Sequence, residues 1–268
     1  MSSFEGHPPL AKRLHRRWRQ VASGASFVLF GAGALVVGGL LLPPIRWFVR
    51  DAARRQRLTR AVIGGAMRFF WNTMLGLGLM RCRVHGAEHL RQPGVLIVAN
   101  HPTLVDAVLL LGLVEDAAVV AKQELARNPL TGPLIAAAGY IVNDDGCAMV
   151  QAAAREFARG GRVLIFPEST RTRPGAPVRL RRGAANIAVR TGCRVVVVTI
   201  AVSDPVLYKG AAWHAMPMDV PRFEVVVRPP LDVAPIVAAH GSVALAARDL
   251  NARLQGIYDT EMSDHGAT

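Results

Sequence analysis

The sequence of 268 residues is poor in cysteine and in residues with metal-ligand spacing. Its three cysteines, Cys82, Cys147 and Cys193, are isolated from one another. They predict no disulfide framework and fit a reducing compartment. The eight histidines are scattered along the chain, so the sequence predicts no bound metal and no cofactor.

Acidic residues are scarcest in the first sixty positions, which carry +9 of the formal net charge of +13. A basic chain suggests a nucleic-acid partner, but 51% of the residues are hydrophobic and no nucleic-acid motif is present, so we predict none. The charge brackets an apolar segment, which favours binding to anionic lipid headgroups at about 1 kcal/mol per cation. The basic residues are Lys12, Arg13, Arg16, Arg17, Arg19, Arg46, Arg50, Arg54, Arg55, Arg57 and Arg60.

Residues 21–45 contain no charged side chain and are long enough to cross about 30 Å of hydrocarbon as a helix. The segment starts late and runs into prolines and basic residues, which does not fit a cleaved signal sequence. Five basic residues precede it and six follow it, so the charge does not set an orientation. Two arrangements stay open: a single span, or a half-inserted hairpin bent at the glycines near its middle.

Residues 61–80 are also apolar but contain Arg68, which would be costly in the middle of a bilayer. We expect an interfacial helix in the membrane plane, with a core helix packed on the following domain as the alternative. The prediction is therefore a basic, membrane-associated region over residues 1–80, with residues 1–20 as a mobile arm or a headgroup-facing helix, and an α/β domain over residues 81–268.

From residue 81 onward, short apolar β-branched runs alternate with helical patterns. This alternation predicts an α/β fold with a mostly parallel sheet, flanked by helices, and with ligands at the carboxyl ends of its strands. The predicted strands are 81–85, 95–99, 117–120, 140–142, 162–166, 195–201 and 223–227. The predicted helices are 128–139, 148–159, 183–191 and 242–258.

Residues 95–106 place an imidazole at the end of a buried strand, followed by a carboxylate five positions later. If a helix begins at Pro102, Asp106 lies one turn inside it and can reach back to a ring nitrogen of His101. Such a pair fixes the tautomer and leaves the other nitrogen as a general base. A structural histidine and a helix-dipole partner are the competing interpretation.

A second polar stretch, residues 166–174, follows the strand at 162–166. Arg171 can hold a phosphate through its planar fork, and Glu168 can accept a hydrogen bond from a substrate hydroxyl. A solvated loop would have the same composition.

Together the two stretches resemble the glycerolipid acyltransferase family, which includes the bacterial lysophosphatidic acid acyltransferases. Residues 100–106 are similar to its His-x4-Asp motif, and residues 166–171 resemble its Phe-Pro-Glu-Gly-Thr-Arg motif. Their separation by roughly sixty residues and the sequence around Lys122 also fit, over residues 82–230.

The resemblance implies transfer of a fatty acyl group from acyl-CoA or acyl-carrier protein to a hydroxyl of a lysophospholipid-type acceptor. It implies His101 as the base, Asp106 as its orienting carboxylate, and acceptor binding by Glu168 and Arg171, with Ser169 and Thr170 shaping the loop. The partners would be a membrane lipid and a soluble thioester donor. The location would be the cytoplasmic membrane, with the catalytic domain facing the cytoplasm and its site opening near residues 61–80.

Two residues depart from the family pattern. Ser169 stands where the family commonly has glycine, and Asn143 where it commonly has arginine. A phosphate contact is then lost or supplied by another cation, such as Lys122, Arg173, Arg181 or Arg182. A lyso-amino-lipid acceptor is therefore open beside lysophosphatidic acid, as is a non-catalytic, membrane-docked lipid-binding protein on the same fold.

Overall fold

A seven-stranded sheet forms the centre of the molecule in a computed structural model that describes residues 9–129 and 131–266. The spatial order of its strands is β1-β7-β6-β2-β5-β3-β4, and only the β6–β7 pair is antiparallel. The predicted, mostly parallel α/β sheet is confirmed. The strands are β1 (Arg81–His85), β2 (Val95–Ala99), β3 (Ala117–Lys122), β4 (Ile141–Asn143), β5 (Arg162–Ile165), β6 (Arg194–Val202) and β7 (Arg222–Val227).

Helices cover both faces of the sheet, as a parallel sheet requires. Residues 128–139, predicted as one helical segment, include only α6, and a separate short helix, α5, precedes it. The helices are α1 (Leu10–Val36), a π-helical segment (Val37–Leu41), α2 (Leu42–Phe48), α3 (Ala52–Gly76), a 3-10 turn (Ala87–Arg91), α4 (Asp106–Leu113), α5 (Gln123–Arg127), α6 (Gly132–Ala138), α7 (Gly146–Ala158), α8 (Gly183–Thr191), α9 (Ala234–Ala238) and α10 (Val243–Gly266).

The central strand β2 is buried along its whole length and divides the core into two layers. Val95 and Ile97 belong to the layer covered by α3 and α4, whereas Leu96 and Val98 belong to the layer covered by α7, α8 and α10. This alternation follows from the two-residue period of a strand. Because both layers are filled, β2 is held rigidly, and its carboxyl end delivers residue 100 to a fixed place.

The N-terminal helix is continuous from Leu10 to Phe48 and is the one helix in the described ranges long and apolar enough to cross a membrane. It passes through Gly31, Gly33, Gly38 and Gly39 without reversing, and the chain turns back at residues 49–51. The hairpin at these glycines, one of the two arrangements left open by the sequence, is therefore not formed. Asp51 caps the returning helix α3 by accepting a hydrogen bond from the backbone N–H of Arg54 at 2.6 Å.

Part of this helix packs against the protein, and most of its large apolar side chains stay exposed. Phe30 contacts Phe70 edge-to-face at 5.2 Å, and Val37 and Leu42 pack with Ile63 of α3. The exposed apolar side chains fit membrane association, since large apolar side chains seldom face water in such number. The exposed residues are Leu10, Leu14, Trp18, Val21, Phe27, Val28, Leu29, Phe30, Leu35, Val36, Leu40, Leu41, Trp47 and Phe48.

Helix α3 is a core helix, the alternative left open by the sequence. Phe70, Trp71 and Met74 are buried in the layer beneath α4. Arg68, which argued against a membrane span, donates from Nε to the carbonyl of Gly112 at 2.9 Å. Phe69 of the same helix points outward and is 65% exposed.

Two of the basic residues expected at lipid headgroups are buried instead. Arg60 donates to Glu156 at 2.9 and 3.0 Å, to Asp116, and to two carbonyls at the end of α6. Burial opposes ionisation of Glu156, but hydrogen bonds from Arg60 and Arg159 outweigh it and lower the pKa of Glu156. Arg19 is also fully buried. The headgroup prediction is wrong for these two arginines. Residues 1–8 of the segment 1–20, which was expected to be a mobile arm or a headgroup-facing helix, lie outside the described residues.

Candidate active site

His101 and Asp106 form the pair that the sequence predicts. His101 Nδ1 lies 2.8 Å from Asp106 Oδ2, and the carboxylate is fully buried while the imidazole retains 20% exposure. A carboxylate accepts hydrogen bonds, so Nδ1 carries the proton and Nε2 keeps its lone pair. The imidazole is therefore oriented by one nitrogen and free to accept a proton at the other.

Thr103 completes the environment of Asp106. Its backbone N–H donates to Asp106 Oδ2 at 2.7 Å, and its hydroxyl donates to Asp106 Oδ1 at 2.6 Å. Thr103 is absent from the predicted site residues. The signal was present, because Thr103-x-x-Asp106 has the spacing of a capping box, in which an acid reaches back to the N–H three positions earlier.

Helix α4 begins at Asp106 and not at Pro102. The bonds from Thr103 close residues 102–105 into a turn before the helix starts. Asp106 is therefore in the first turn and reaches His101 across that turn. The expected contact is present, but the expected placement of Asp106 one turn inside a helix is wrong.

The peptide of His101 is held from three directions. The Asn100 amide exchanges two hydrogen bonds with the backbone of Ile200 in β6, at 2.7 and 2.9 Å. The N–H of His101 donates to Glu168 Oε1 at 2.6 Å, and its carbonyl accepts from the N–H of Thr172 at 3.1 Å. The imidazole also lies against the ring of Phe166, with centroids 4.5 Å apart. The two sequence motifs therefore form one constellation.

Glu168 makes a bond within the protein that the sequence did not predict. One carboxylate oxygen is used by His101, and the other, Oε2, is buried without a hydrogen-bond partner among the described residues. Burial, together with the charge of Asp106, raises the pKa of Glu168 to about 7, against the opposing effect of the bond from His101. Glu168 thus ties the two motifs together, and its second oxygen has no partner in the part of the chain that the structure describes.

Ser169 adopts a left-handed backbone conformation, with φ of +58°. Glycine adopts this conformation without cost, whereas a residue with a Cβ atom is strained in it. The loop therefore keeps the shape that glycine would favour, although serine occupies the position.

Arg171 faces the loop after β6, where its Nη1 lies 3.2 Å from the carbonyl of Leu207 and 3.4 Å from that of Tyr208. These bonds use one nitrogen and leave the other nitrogens of the fork for an anion. Thr170 is exposed beside it.

Lys122 lies at the carboxyl end of β3, directly opposite Asn143 in the β3–β4 register. Both side chains are exposed at the same edge of the sheet as His101. The cation therefore neighbours the position where the family pattern has arginine. Within the described part of the chain, Lys122 makes no hydrogen bond to the other predicted site residues.

A metal would need a cluster of ligands, and none of three or more His, Cys, Asp or Glu side chains occurs in residues 9–129 and 131–266. The site offers an oriented imidazole, a buried carboxyl with one unpartnered oxygen, and an arginine fork. This set can remove a proton from a hydroxyl group while an anionic group is held nearby.

Comparison with known proteins agrees with this chemistry. The family model described as Acyltransferase matches residues 81–203, which include both motifs. A 1-acyl-sn-glycerol-3-phosphate acyltransferase from Pseudomonas aeruginosa is 27% identical over 89% of each chain. A lyso-ornithine lipid O-acyltransferase from the same organism is 37% identical over 44% of this chain and 43% of its own length.

Among solved structures, the 1-acyl-sn-glycerophosphate acyltransferase from Thermotoga maritima shares the fold. Its TM-score is 0.69, with 21% sequence identity, over 94% of this chain and 98% of that protein. The shared architecture therefore includes the N-terminal helices as well as the sheet.

Proposed function

Because residues 81–203 belong to the acyltransferase family, we propose that this membrane-associated enzyme moves a fatty acyl group from a thioester donor to a hydroxyl of a lysophospholipid-type acceptor. The observation that carries the proposal is the 2.8 Å contact between His101 Nδ1 and the buried Asp106 carboxylate. A base so placed can activate a hydroxyl for attack on a thioester.

In the proposed reaction, His101 Nε2 takes the proton of the acceptor hydroxyl as its oxygen attacks the thioester carbonyl carbon. Asp106 stabilises the imidazolium that forms, and Thr103 keeps the carboxylate in place. The carbon–sulfur bond then breaks, and the imidazolium returns its proton to the thiolate. The acyl group passes directly to the acceptor, so no acyl-enzyme is required.

Glu168 Oε2 and the Arg171 fork are proposed to hold the acceptor, with Ser169 and Thr170 shaping the loop and Lys122 supplying a further cation. A neutral Glu168 would donate, and an ionised one accept, a hydrogen bond with an acceptor hydroxyl. Binding of a substrate group there would satisfy a buried oxygen that is otherwise unpartnered.

The acceptor is proposed to be lysophosphatidic acid or a lyso-amino-lipid. Asn143 replaces a cation with a neutral amide, which weakens the argument for a phosphate monoester. The relative that acts on a lyso-ornithine lipid favours the second acceptor. The donor is proposed to be acyl-CoA or acyl-carrier protein, both water-soluble, with the catalytic domain facing the cytoplasm.

Purified protein should be incubated with each acceptor and each donor, and thiol release measured. We expect release with at least one pair, abolished by His101→Ala without loss of folding or of vesicle binding. A folded wild-type protein that releases no thiol with any pair, but co-purifies with a lipid, would instead indicate a non-catalytic lipid-binding protein.

A further inference from the structure

The loop between β6 and β7, residues 203–221, contacts both the candidate active site and the N-terminal helix. It contains no helix or strand, and connections of this length are uncommon unless they have a function. Its first part lies beside the two motifs, and its last part lies beside α1. The loop is therefore the physical link between these two regions.

At the active-site end, the carbonyl of Leu207 accepts two hydrogen bonds. One comes from the N–H of Leu104 at 3.0 Å, and the other from Arg171 Nη1 at 3.2 Å. Leu207 is buried and has φ of +49°, a left-handed conformation that costs a leucine about 1 kcal/mol or more. The carbonyl group of this strained residue thus accepts hydrogen bonds from residues of both motifs.

At the other end, α1 binds a run of backbone carbonyls in residues 213–219. The fully buried Arg19 donates to the carbonyls of Pro217, Met218 and Asp219, each at 2.7 to 2.8 Å. The Trp213 ring packs so closely on α1 that a Cβ atom at Gly24 would lie 2.7 Å from it. Further bonds to this part of the loop come from Lys12, Arg16, Gln20 and Ser23.

We propose that Arg19 is a positioning residue for the acyl transfer: by fixing residues 217–219, it holds the loop that sets the place of Arg171. This inference rests on the proposed role of Arg171 in holding the acceptor. It gives α1 a second function besides membrane association. The helix then acts on the acceptor site through the loop.

Arginine suits this position because its planar fork can donate to several carbonyls at fixed angles. Lysine would offer a single ammonium group, which could not reach the same three backbone carbonyls in the same geometry. Methionine would fill much of the volume and offer no donor. Arg19→Met should therefore loosen residues 217–219 while keeping the apolar packing of the helix.

The test uses acceptor and donor with acyl chains short enough to stay monomeric in water, so that membrane attachment does not limit the rate. For Arg19→Met we expect the acceptor KM to rise about fivefold, with kcat changed by less than about twofold. Arg17→Met is the matched control, since Arg17 lies two positions away on α1 and is exposed. It should leave both constants unchanged.

A double-mutant cycle separates positioning from a general loss of structure. In an Arg171→Ala background, Arg19→Met should no longer raise the acceptor KM, because its effect passes through Arg171. Ser23→Ala, which removes one milder bond to the loop, should shift KM in the same direction by less. Equal effects of Arg19→Met with and without Arg171 would overturn the inference.

Amide hydrogen exchange provides a readout that does not depend on activity. Arg19→Met should speed exchange at the Leu104 N–H, which donates to Leu207, and Arg17→Met should not. Unchanged exchange at Leu104 would overturn the inference. Failure of the proposed function is recognised separately, because the wild-type protein would then transfer no acyl group while the exchange result still decides the role of Arg19.

Discussion

The two loops at the carboxyl edge of the sheet differ in how fully their polar groups are satisfied. In residues 100–106, the side chains of Asn100, Thr103 and Asp106 all make hydrogen bonds within the protein. In residues 166–182, Glu168 has an unpartnered oxygen and Ser169 is strained. In the first loop the Asp106 carboxylate is fully bonded and only His101 Nε2 stays free, whereas in the second loop a buried carboxyl oxygen has no partner among the described residues. The contrast suggests that the chemistry is fixed and the acceptor choice is adjustable.

The largest effect should come from a substitution in the loop at residues 100–106. His101→Ala should lower kcat by about a thousandfold, because it removes the base that Asp106 orients. The measurement is thiol release under saturating substrate. His85→Ala is the matched control, since that histidine is exposed on β1 and pairs with Glu224. Comparable loss in both variants would contradict the role of His101.

Because of the buried Glu168 in the loop at residues 166–182, the stability of the protein should depend on pH. Burial raises the pKa of Glu168 from an ordinary value of 4.5 to about 7, so the side chain stays neutral in the folded protein below that pH. Between these values the folded protein binds more protons than the unfolded chain, so stability should fall as pH rises, by about 2.5 kcal/mol from pH 5 to pH 8.

Chemical denaturation of the wild type and of Glu168→Gln across this pH range measures that effect. The glutamine keeps an oxygen for the His101 N–H but does not titrate. As the pH rises, Glu168→Gln should become more stable relative to the wild type. A difference independent of pH would show that Glu168 is ionised throughout.

Thr103→Val tests whether the first loop depends on its internal bonds. It removes the hydroxyl that donates to Asp106 Oδ1 and leaves a buried carboxylate oxygen unpaired, at a cost of about 2 kcal/mol. We expect lower stability and a lower kcat with little change in KM. Thr103→Ser keeps the hydroxyl and should restore most of both. If serine fails to rescue, the methyl group matters more than the bond.

The smallest effect concerns the strained backbone of the second loop. Ser169→Gly should stabilise the protein by about 1 kcal/mol, measured as the free energy of unfolding, because glycine accepts a positive φ. Thr170→Gly, at the next position and without a positive φ, should not stabilise it. A destabilised Ser169→Gly would indicate a hydrogen bond or packing role for the serine side chain that outweighs the strain.

The sequence predicted well what depends on local pattern. Apolar β-branched runs located the strands, and the spacing of His101 and Asp106 located the pair, because both signals lie within a few residues. The start of α4 was predicted too early. Pro102 suits a first helical turn, but the Thr103 hydroxyl bonds to the Val105 N–H and to the Asp106 carboxylate and so holds residues 103–105 in a turn before the helix. The capping-box spacing contained that information.

The local sequence pattern does not predict contacts between residues that are far apart in the chain. A charge run gives no sign that Arg19 and Arg60 turn inward, because their partners lie far along the chain in residues 217–219 and at Glu156. The same limit applied to Glu168, whose bond to the His101 N–H depends on two strands lying side by side. Such contacts become visible only when the sheet order is known.

The buried Arg19 also imposes an order in time on the synthesis of the protein. Its carbonyl partner at Asp219 is made 200 residues later. At typical rates of about 5 to 20 residues per second, the N-terminal helix emerges from the ribosome about 10 to 40 s before its docking loop exists. During that interval its apolar side can meet a bilayer while Arg19 is still hydrated. The catalytic domain would then assemble onto a helix already at the membrane.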